Sequence, residues 1–184
     1  NATQYTTVSD AEGFTNVVTR ISDGNSTTTE LIDDFSTNIS EYSIVGDNSK
    51  FSWNNGGYLD WTASSSPTFT SIYRKFNSLR NYDKTDHIKA SFNVQIISPT
   101  PNGNVLLGFR NSNDSSLLSA VSIIIVNNKP YIRIDYNGSN RDITAFTTSL
   151  ITGTTYGFDL EINNSVASAI LKDANGTALE TKTV

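Results

Sequence analysis

The chain has 184 residues, no cysteine, 17% charged residues and a formal net charge of −5. This length suits one domain with a sizeable core, and the lack of cysteine excludes a disulfide framework, a thiolate zinc site and a cysteine nucleophile. An acidic chain without a basic stripe is not expected to bind nucleic acid, and no apolar run approaches the ~20 residues of a membrane span. Serine, threonine and asparagine form more than a third of the chain. That composition is typical of secreted, cell-surface and virion-surface proteins, so we expect an extracellular location.

Residues 1–30 differ in composition from the rest of the chain. Their apolar positions are sparse, and they end in the polar, turn-rich run 22–30. This pattern predicts an N-terminal extension or linker, with 5–8 or 17–21 as an added strand. Residues 31–184 are then the domain.

From residue 31 onward, apolar residues recur with a period of two. The clearest runs are 88–96, 131–135 and 156–162, where hydrophobic and polar residues alternate. Such runs predict half-buried strands with one wet face. No segment keeps a helical period, so helix is expected only in short turns.

Turn signals separate these runs. They are Asn54–Gly57, Pro99–Gly103, Asn127–Pro130, Asn137–Gly138 and Asn175–Gly176. Asparagine and glycine supply the positive φ that tight hairpins need. Short strands joined by hairpins predict an all-β antiparallel sandwich or barrel.

The alternation also predicts the core. The expected buried positions are the apolar members of each run, namely Phe35, Ile72, Ile88, Phe92, Val94, Leu107, Phe109, Ile132, Ile134, Phe158, Leu160 and Ile170.

The order of these segments resembles that of concanavalin A-like or laminin G-like domains. The resemblance covers residues 31–184. It depends on five segments, namely the Asp-Asp-Phe opening within 31–42, Gly57–Trp61, 70–76, 87–94 and Asn104–Arg110. It implies a two-sheet antiparallel jelly-roll sandwich. Carbohydrate-binding modules, lectins, phage tail and decoration domains and glycoside hydrolases share this pattern.

One feature departs from the resemblance. Such domains usually close with a final strand that pairs with the first and often carries another Asp-Asp, whereas this chain ends at Thr183-Val184. We therefore expect residues 1–30, or another chain, to supply the closing strand.

Catalytic residues are not evident. Asp159 and Glu161 stand two residues apart on one face of a predicted strand, but the third acid of a glycosidase set is missing, because position 163 is asparagine. His87 is the only histidine, and no Gly-x-Ser-x-Gly elbow accompanies it. A solvated strand face explains the two carboxylates as well, so we expect no enzyme.

Calcium is the one cofactor that the sequence suggests. Asp33, Asp34, Asp114, Asp142 and Asp173 are hard oxygen ligands, and the resembled sandwiches often hold calcium. EF-hand spacing is absent, and aspartate in such loops also serves turn formation. No ligand set can be chosen from the sequence.

Sugar recognition combines aromatic faces with planar polar groups. Trp53 and Tyr58 flank a glycine-rich turn, while Tyr131, Arg133 and Asp135 share the polar face of one predicted strand. Arg110 stands at a neighbouring strand end. We expect these six residues to form the ligand site. Core packing is the alternative for Trp53 and for Trp61, and a structural role is the alternative for the face that carries Tyr131.

Two functions remain open at this point. The first is a non-catalytic glycan-binding or adhesion module whose partner is a polysaccharide or cell-surface glycan. The alternative is a structural subunit of a filament, phage tail or capsid decoration that binds copies of itself by strand exchange.

Overall fold

A computed structural model describes residues 4–5, 20–21, 38–40, 42–45, 48–54, 58–61, 71–73, 88–98, 104–110, 120–136, 140–164 and 166–184. The strands in chain order are β1 (Gln4–Tyr5), β2 (Arg20–Ile21), β3 (Ser43–Val45), β4 (Phe51–Asn54), β5 (Tyr58–Trp61), β6 (Ser71–Tyr73), β7 (Ile88–Gln95), β8 (Asn104–Arg110), β9 (Ala120–Val126), β10 (Lys129–Tyr136), β11 (Asn140–Ala145), β12 (Thr155–Asn163), β13 (Val166–Lys172) and β14 (Ala178–Thr183). Helix within these ranges is limited to one 3-10 turn, Asn48–Lys50. The predicted all-β class is confirmed.

Two four-stranded antiparallel sheets form the main body of the described structure. The front sheet has the order β11-β10-β9-β8, and the back sheet has the order β14-β13-β12-β7. Three two-stranded ribbons accompany them, namely β1–β2, β3–β6 and β4–β5. The chain thus runs from the back sheet to the front sheet after β7 and returns after β11.

The inner faces of the two sheets share one hydrophobic core, to which β7, β9, β10, β12 and β13 all contribute. The Phe158 ring lies 5.8 Å from that of Phe92 and 5.9 Å from that of Phe146, the latter edge-on. Core positions predicted from the alternation are confirmed at Phe92, Val94, Ile132, Ile134, Phe158 and Leu160.

The prediction that Ile170 is a core residue is wrong. On β13 the buried residues are Ala167, Ala169 and Leu171, whereas Ile170 is only partly buried and shares its parity with Ser168. Successive residues of a strand point to opposite faces, so the two small alanines face the core and the larger isoleucine faces outward.

The remaining core predictions lie beyond what the structure describes. Phe35 lies outside the described residues. Ile72, Ile88, Leu107 and Phe109 lie on described strands, but their side chains are outside the described part.

The predicted turn at Asn127–Pro130 joins β9 to β10. Asn127 and Asn128 have φ values of 46° and 66°, as a two-residue hairpin with right-handed strand twist requires. The Asn128 side-chain amide donates to the Leu150 carbonyl at 3.1 Å and to Thr152 Oγ1 at 2.9 Å. These bonds hold the hairpin against the β11–β12 connection.

The predicted turn at Asn175–Gly176 joins β13 to β14. Gly176 has φ of 84°, a value that L-residues rarely adopt. Asp173 Oδ1 accepts the backbone N–H groups of Asn175 at 2.9 Å and Thr177 at 2.8 Å. Asp173 therefore serves its own turn.

A carboxylate joins the two sheets at the β11 and β14 side. Glu180 of β14 accepts the backbone N–H of Thr147 through Oε1 at 2.7 Å and that of Thr148 through Oε2 at 2.9 Å. The Lys182 ammonium lies 3.0 Å from Oε1. Partial burial acts to raise the pKa of Glu180, but the backbone and lysine hydrogen bonds outweigh burial and hold that pKa well below the usual range.

The described N-terminal residues form a short antiparallel ladder. Gln4–Tyr5 pairs with Arg20–Ile21, and β2 approaches β7 of the back sheet. The boundary at residue 30 stays a prediction. No helix in the described ranges has the length and hydropathy that crossing a membrane requires.

Candidate functional site

The outer face of the front sheet, called the front face below, holds four of the six predicted site positions, three on β10 and Arg110 on β8. Ile132 and Ile134 of β10 are buried in the core. Because strand residues alternate between faces, Tyr131, Arg133 and Asp135 lie on the front face.

An ion pair fixes the orientation of Arg133. Its Nε lies 3.0 Å from Asp135 Oδ1, to which it donates, and 2.9 Å from Oδ2. Each side chain is 19% exposed, so the pair is partly shielded from water and yet within reach of a ligand. Tyr131, one step further along the same face, is also partly buried. This arrangement places Tyr131 and Asp135 on either side of Arg133 along one face of β10.

Small residues stand next to Arg133 in the ladder. Arg133 pairs with Ser122 of β9, and Ser122 pairs with Gly108 of β8. A Cβ at Gly108 would collide with the Val121 carbonyl oxygen and would approach Ser122 Cα to 2.7 Å. Glycine is thus required here by the close approach of β8 and β9.

The Ser122 hydroxyl is an unusual feature of this region. Ser122 is 2% exposed, and its Oγ has no hydrogen-bond partner in the described structure. A buried hydroxyl without a partner destabilises the fold. Ser122 is too shielded to meet a ligand directly, and Ile124, the next front-face residue of β9, is also buried, at 5% exposed.

The edge of the front face is open. Arg133 of β10 pairs with Ile143 of β11, which is 50% exposed. Asp135 pairs with Arg141 of the same strand, which is also exposed. The predicted residue Arg110 lies in the same row of the sheet as Asp135, because Arg110 pairs with Ala120 and Ala120 pairs with Asp135. The side chain of Arg110 is outside the described part.

Trp53 and Tyr58 belong to a separate ribbon. In the β4–β5 ladder Trp53 pairs with Leu59, and Asn54 pairs with Tyr58. Leu59 is buried and Trp53 is partly buried, which fits packing as well as stacking. The Tyr58 and Trp61 side chains are outside the described part. These residues are therefore not in the sheet that carries Tyr131, and their inclusion in the site stays a prediction.

The outer face of the back sheet, called the back face below, carries the two carboxylates considered for glycoside hydrolysis. Glu161 lies 3.8 Å from Lys89 Nζ, and Asp159 forms an ion pair with Lys172. Both carboxylates are more than a third exposed. These contacts agree with a solvated strand face.

Calcium binding stays a prediction. No group of three or more histidine, aspartate or glutamate side chains that could hold a metal occurs among the described residues. Asp173 is occupied with backbone N–H groups, and Asp142 is exposed. Asp33, Asp34 and Asp114 lie outside the described residues, as does His87.

Part of the front face is absent from the residues predicted from the sequence. Ser122 stands beside Arg133, Gly108 stands beyond Ser122 in the same row, and Arg141 stands opposite Asp135. Glycine inside an alternating strand and serine inside an apolar run are visible signals. Their proximity to Arg133 depends on strand register, which the sequence does not state.

Comparison with the models of known families finds no match, and none is found among curated proteins. Among solved structures, the chain is similar to a protein of unknown function from Shewanella oneidensis MR-1, with 15% sequence identity and a TM-score of 0.46. The match covers 97% of this chain and 73% of that protein. This similarity is too weak to assign a fold family or a function.

Proposed function

We propose that the chain is a non-catalytic glycan-binding module whose site is the front face around Tyr131, Arg133 and Asp135. The observation that carries the proposal is the Arg133–Asp135 ion pair, which fixes a planar donor beside a partly exposed tyrosine on one sheet surface. An extracellular location, suggested by the composition, is part of the same proposal.

The chemistry of such a surface matches that of a sugar ring. The apolar C–H face of a pyranose packs on an aromatic ring, while its hydroxyl groups bond to guanidinium and carboxylate groups. Arg133 is already held by Asp135, so little conformational freedom is lost when a ligand binds. A flat site with few polar contacts predicts dissociation constants on the order of micromolar to millimolar.

The jelly-roll connectivity of concanavalin A-like domains belongs to this proposal too. Its support is the two antiparallel sheets, their shared core, and the crossings of the chain between sheets after β7 and after β11.

A glycan array with purified protein, followed by titration of the best oligosaccharide, tests the proposal. Arg133→Ala should weaken binding at least tenfold, since it removes the fixed donor and leaves Asp135 without its partner. Lys89→Ala is the matched control, because it removes a cation from the back face and should leave affinity unchanged. Melting curves of both variants establish that they remain folded.

The outcomes separate the alternatives. Unchanged binding by a folded Arg133→Ala protein would move the site elsewhere, and Trp53→Ala would then test the β4–β5 ribbon. If the wild-type protein binds no glycan on the array, the glycan-binding function is wrong.

A structural subunit is the second candidate. Ile143 on β11 and Leu179 on β14 are 50% and 46% exposed, and each of these strands lies at one edge of its described sheet. Apolar groups on outer strands favour association with another copy. Light scattering of the full chain and of a chain lacking residues 1–29 tests this candidate, since filaments that disappear on deletion would establish strand exchange.

A further inference from the structure

The two outer faces of the sandwich differ in charge. The ladder places four basic residues and one acidic residue at the front-face positions of the front sheet, namely Arg110, Lys129, Arg133, Arg141 and Asp135. The β9 positions in these rows are Ala120, Ser122, Ile124 and Val126 and carry no charge. The described strand positions of the front face therefore carry an excess of positive charge, although the chain as a whole has a net charge of −5.

The back face is balanced by comparison. Lys89 is paired with Glu161, and Lys172 is paired with Asp159. Each of these two cations therefore faces an anion, and among the described strand positions of the two outer faces the positive excess lies on the front face.

The cations of the front face are not equally available. Lys129 Nζ donates to the Thr147 carbonyl at 2.6 Å, and Arg133 donates through Nε to Asp135. Arg141 is exposed, and it forms no hydrogen bond or ion pair with a described residue. Among the described guanidinium groups of the front face, Arg141 is thus the one that a ligand meets without breaking a contact to another described residue.

The spacing of Arg141 and Arg133 suits a single sugar residue. Arg141 of β11 pairs with Asp135. Arg133 pairs with Ile143, which is two residues after Arg141 and lies on the same face of β11. The two arginines are therefore diagonal neighbours, with backbones about 7–8 Å apart. An acidic group on one edge of a pyranose can meet Arg141 while hydroxyl groups on the same ring meet Arg133.

We propose that the module prefers acidic glycans, and that Arg141 binds the anionic group. This inference rests on the glycan-binding function proposed above. A guanidinium presents parallel N–H donors that match a carboxylate or a sulfate. The recognised chemistry is an anionic group attached to a sugar, and the source is either a uronate or a sulfated residue.

The test compares ligands that differ only in charge. Calorimetric titrations use oligogalacturonate and its methyl-esterified form, and a second pair uses a sulfated galactan oligosaccharide and its desulfated form. At low salt the acidic member of at least one pair should bind at least tenfold tighter than its neutral counterpart. That preference should fall as salt is added, because exposed charges are screened. The pair that shows the preference identifies the source of the anion.

Variants locate the effect. Arg141→Gln should remove most of the preference for the acidic ligand, so that the ratio of acidic to neutral affinity falls towards one. Lys89→Gln changes the net charge equally but lies on the back face, so it should keep the preference.

The results distinguish the two proposals. Equal binding of acidic and neutral ligands by the wild-type protein would overturn the preference and leave the glycan-binding function standing. A preference that survives in Arg141→Gln would overturn the assignment to Arg141. If no glycan on the array binds, the underlying function fails first.

Discussion

Replacing Glu180 by glutamine tests the contact that joins the two sheets at the β11 and β14 side. The carboxylate accepts two consecutive backbone N–H groups, and its side chain is 14% exposed. Hydrogen bonds to charged groups contribute roughly 1.5–3 kcal/mol each. Glutamine keeps one acceptor oxygen but presents an NH2 group to the other N–H, and water reaches part of the site. We therefore expect Glu180→Gln to lower the free energy of unfolding by about 1–2 kcal/mol.

The effect should depend on pH. The folded-state pKa of Glu180 lies below the ordinary glutamate value of 4.5. A depressed pKa stabilises the folded state above the unfolded-state pKa, and this stability is lost as the pH falls towards the folded-state pKa. The difference between wild type and Glu180→Gln should be complete at pH 7 and should narrow below about pH 4.5.

Urea unfolding at pH 7 and pH 3 measures both effects. A loss of about 1 kcal/mol would also lower the melting temperature by roughly 2–4 °C in a chain of this size. Glu161→Gln is the control, because Glu161 is an exposed carboxylate 3.8 Å from Lys89 and should change stability by less than about 0.5 kcal/mol. Equal stability of Glu180→Gln and wild type at pH 7, or an undiminished difference at pH 3, would refute the reasoning.

Two further predictions concern packing, and urea unfolding measures both. Phe158→Ala should lower stability by roughly 3–5 kcal/mol, because the ring is buried between two other phenylalanines; a loss below about 1 kcal/mol would contradict the assigned core. Gly108→Ala should be far more disruptive than Gly157→Ala. At Gly108 the new methyl group meets the Val121 backbone carbonyl, whereas at Gly157 it meets the Asn93 side chain, 2.7 Å from Oδ1, which can rotate away. If the two variants lose comparable amounts of stability, the assigned close contact between β8 and β9 at Gly108 is wrong.

Much of the fold is predictable because apolar and polar residues alternate regularly in strands that have one solvent-exposed face. On β7 and β12 the outward positions near Phe92 and Phe158 carry polar residues or Gly157 and no large apolar side chain, so the inward face is unambiguous. On β13 both faces carry apolar residues. Size favours Ile170 as a core residue, but its neighbours Ser168 and Lys172 share its outward parity. Parity, rather than residue size, decides which face of this strand is buried.

The candidate site is predictable only within one strand. Tyr131, Arg133 and Asp135 are two residues apart, so a period of two puts them on one face without further information. The Arg141 position opposite Asp135 depends on the register of β10 with β11. Register follows from turn geometry and from packing of the whole sheet, and a local pattern does not contain it.

Mapping of backbone amide shifts by NMR tests the central claim most directly. The best oligosaccharide from the array is titrated into the isotopically labelled protein. The proposed function predicts that the largest shifts fall on residues 131–135 of β10 and on 141–143 of β11, with little change on the back face around Asp159. Shifts concentrated on the back face or on the β4–β5 ribbon, with β10 unaffected, would contradict it.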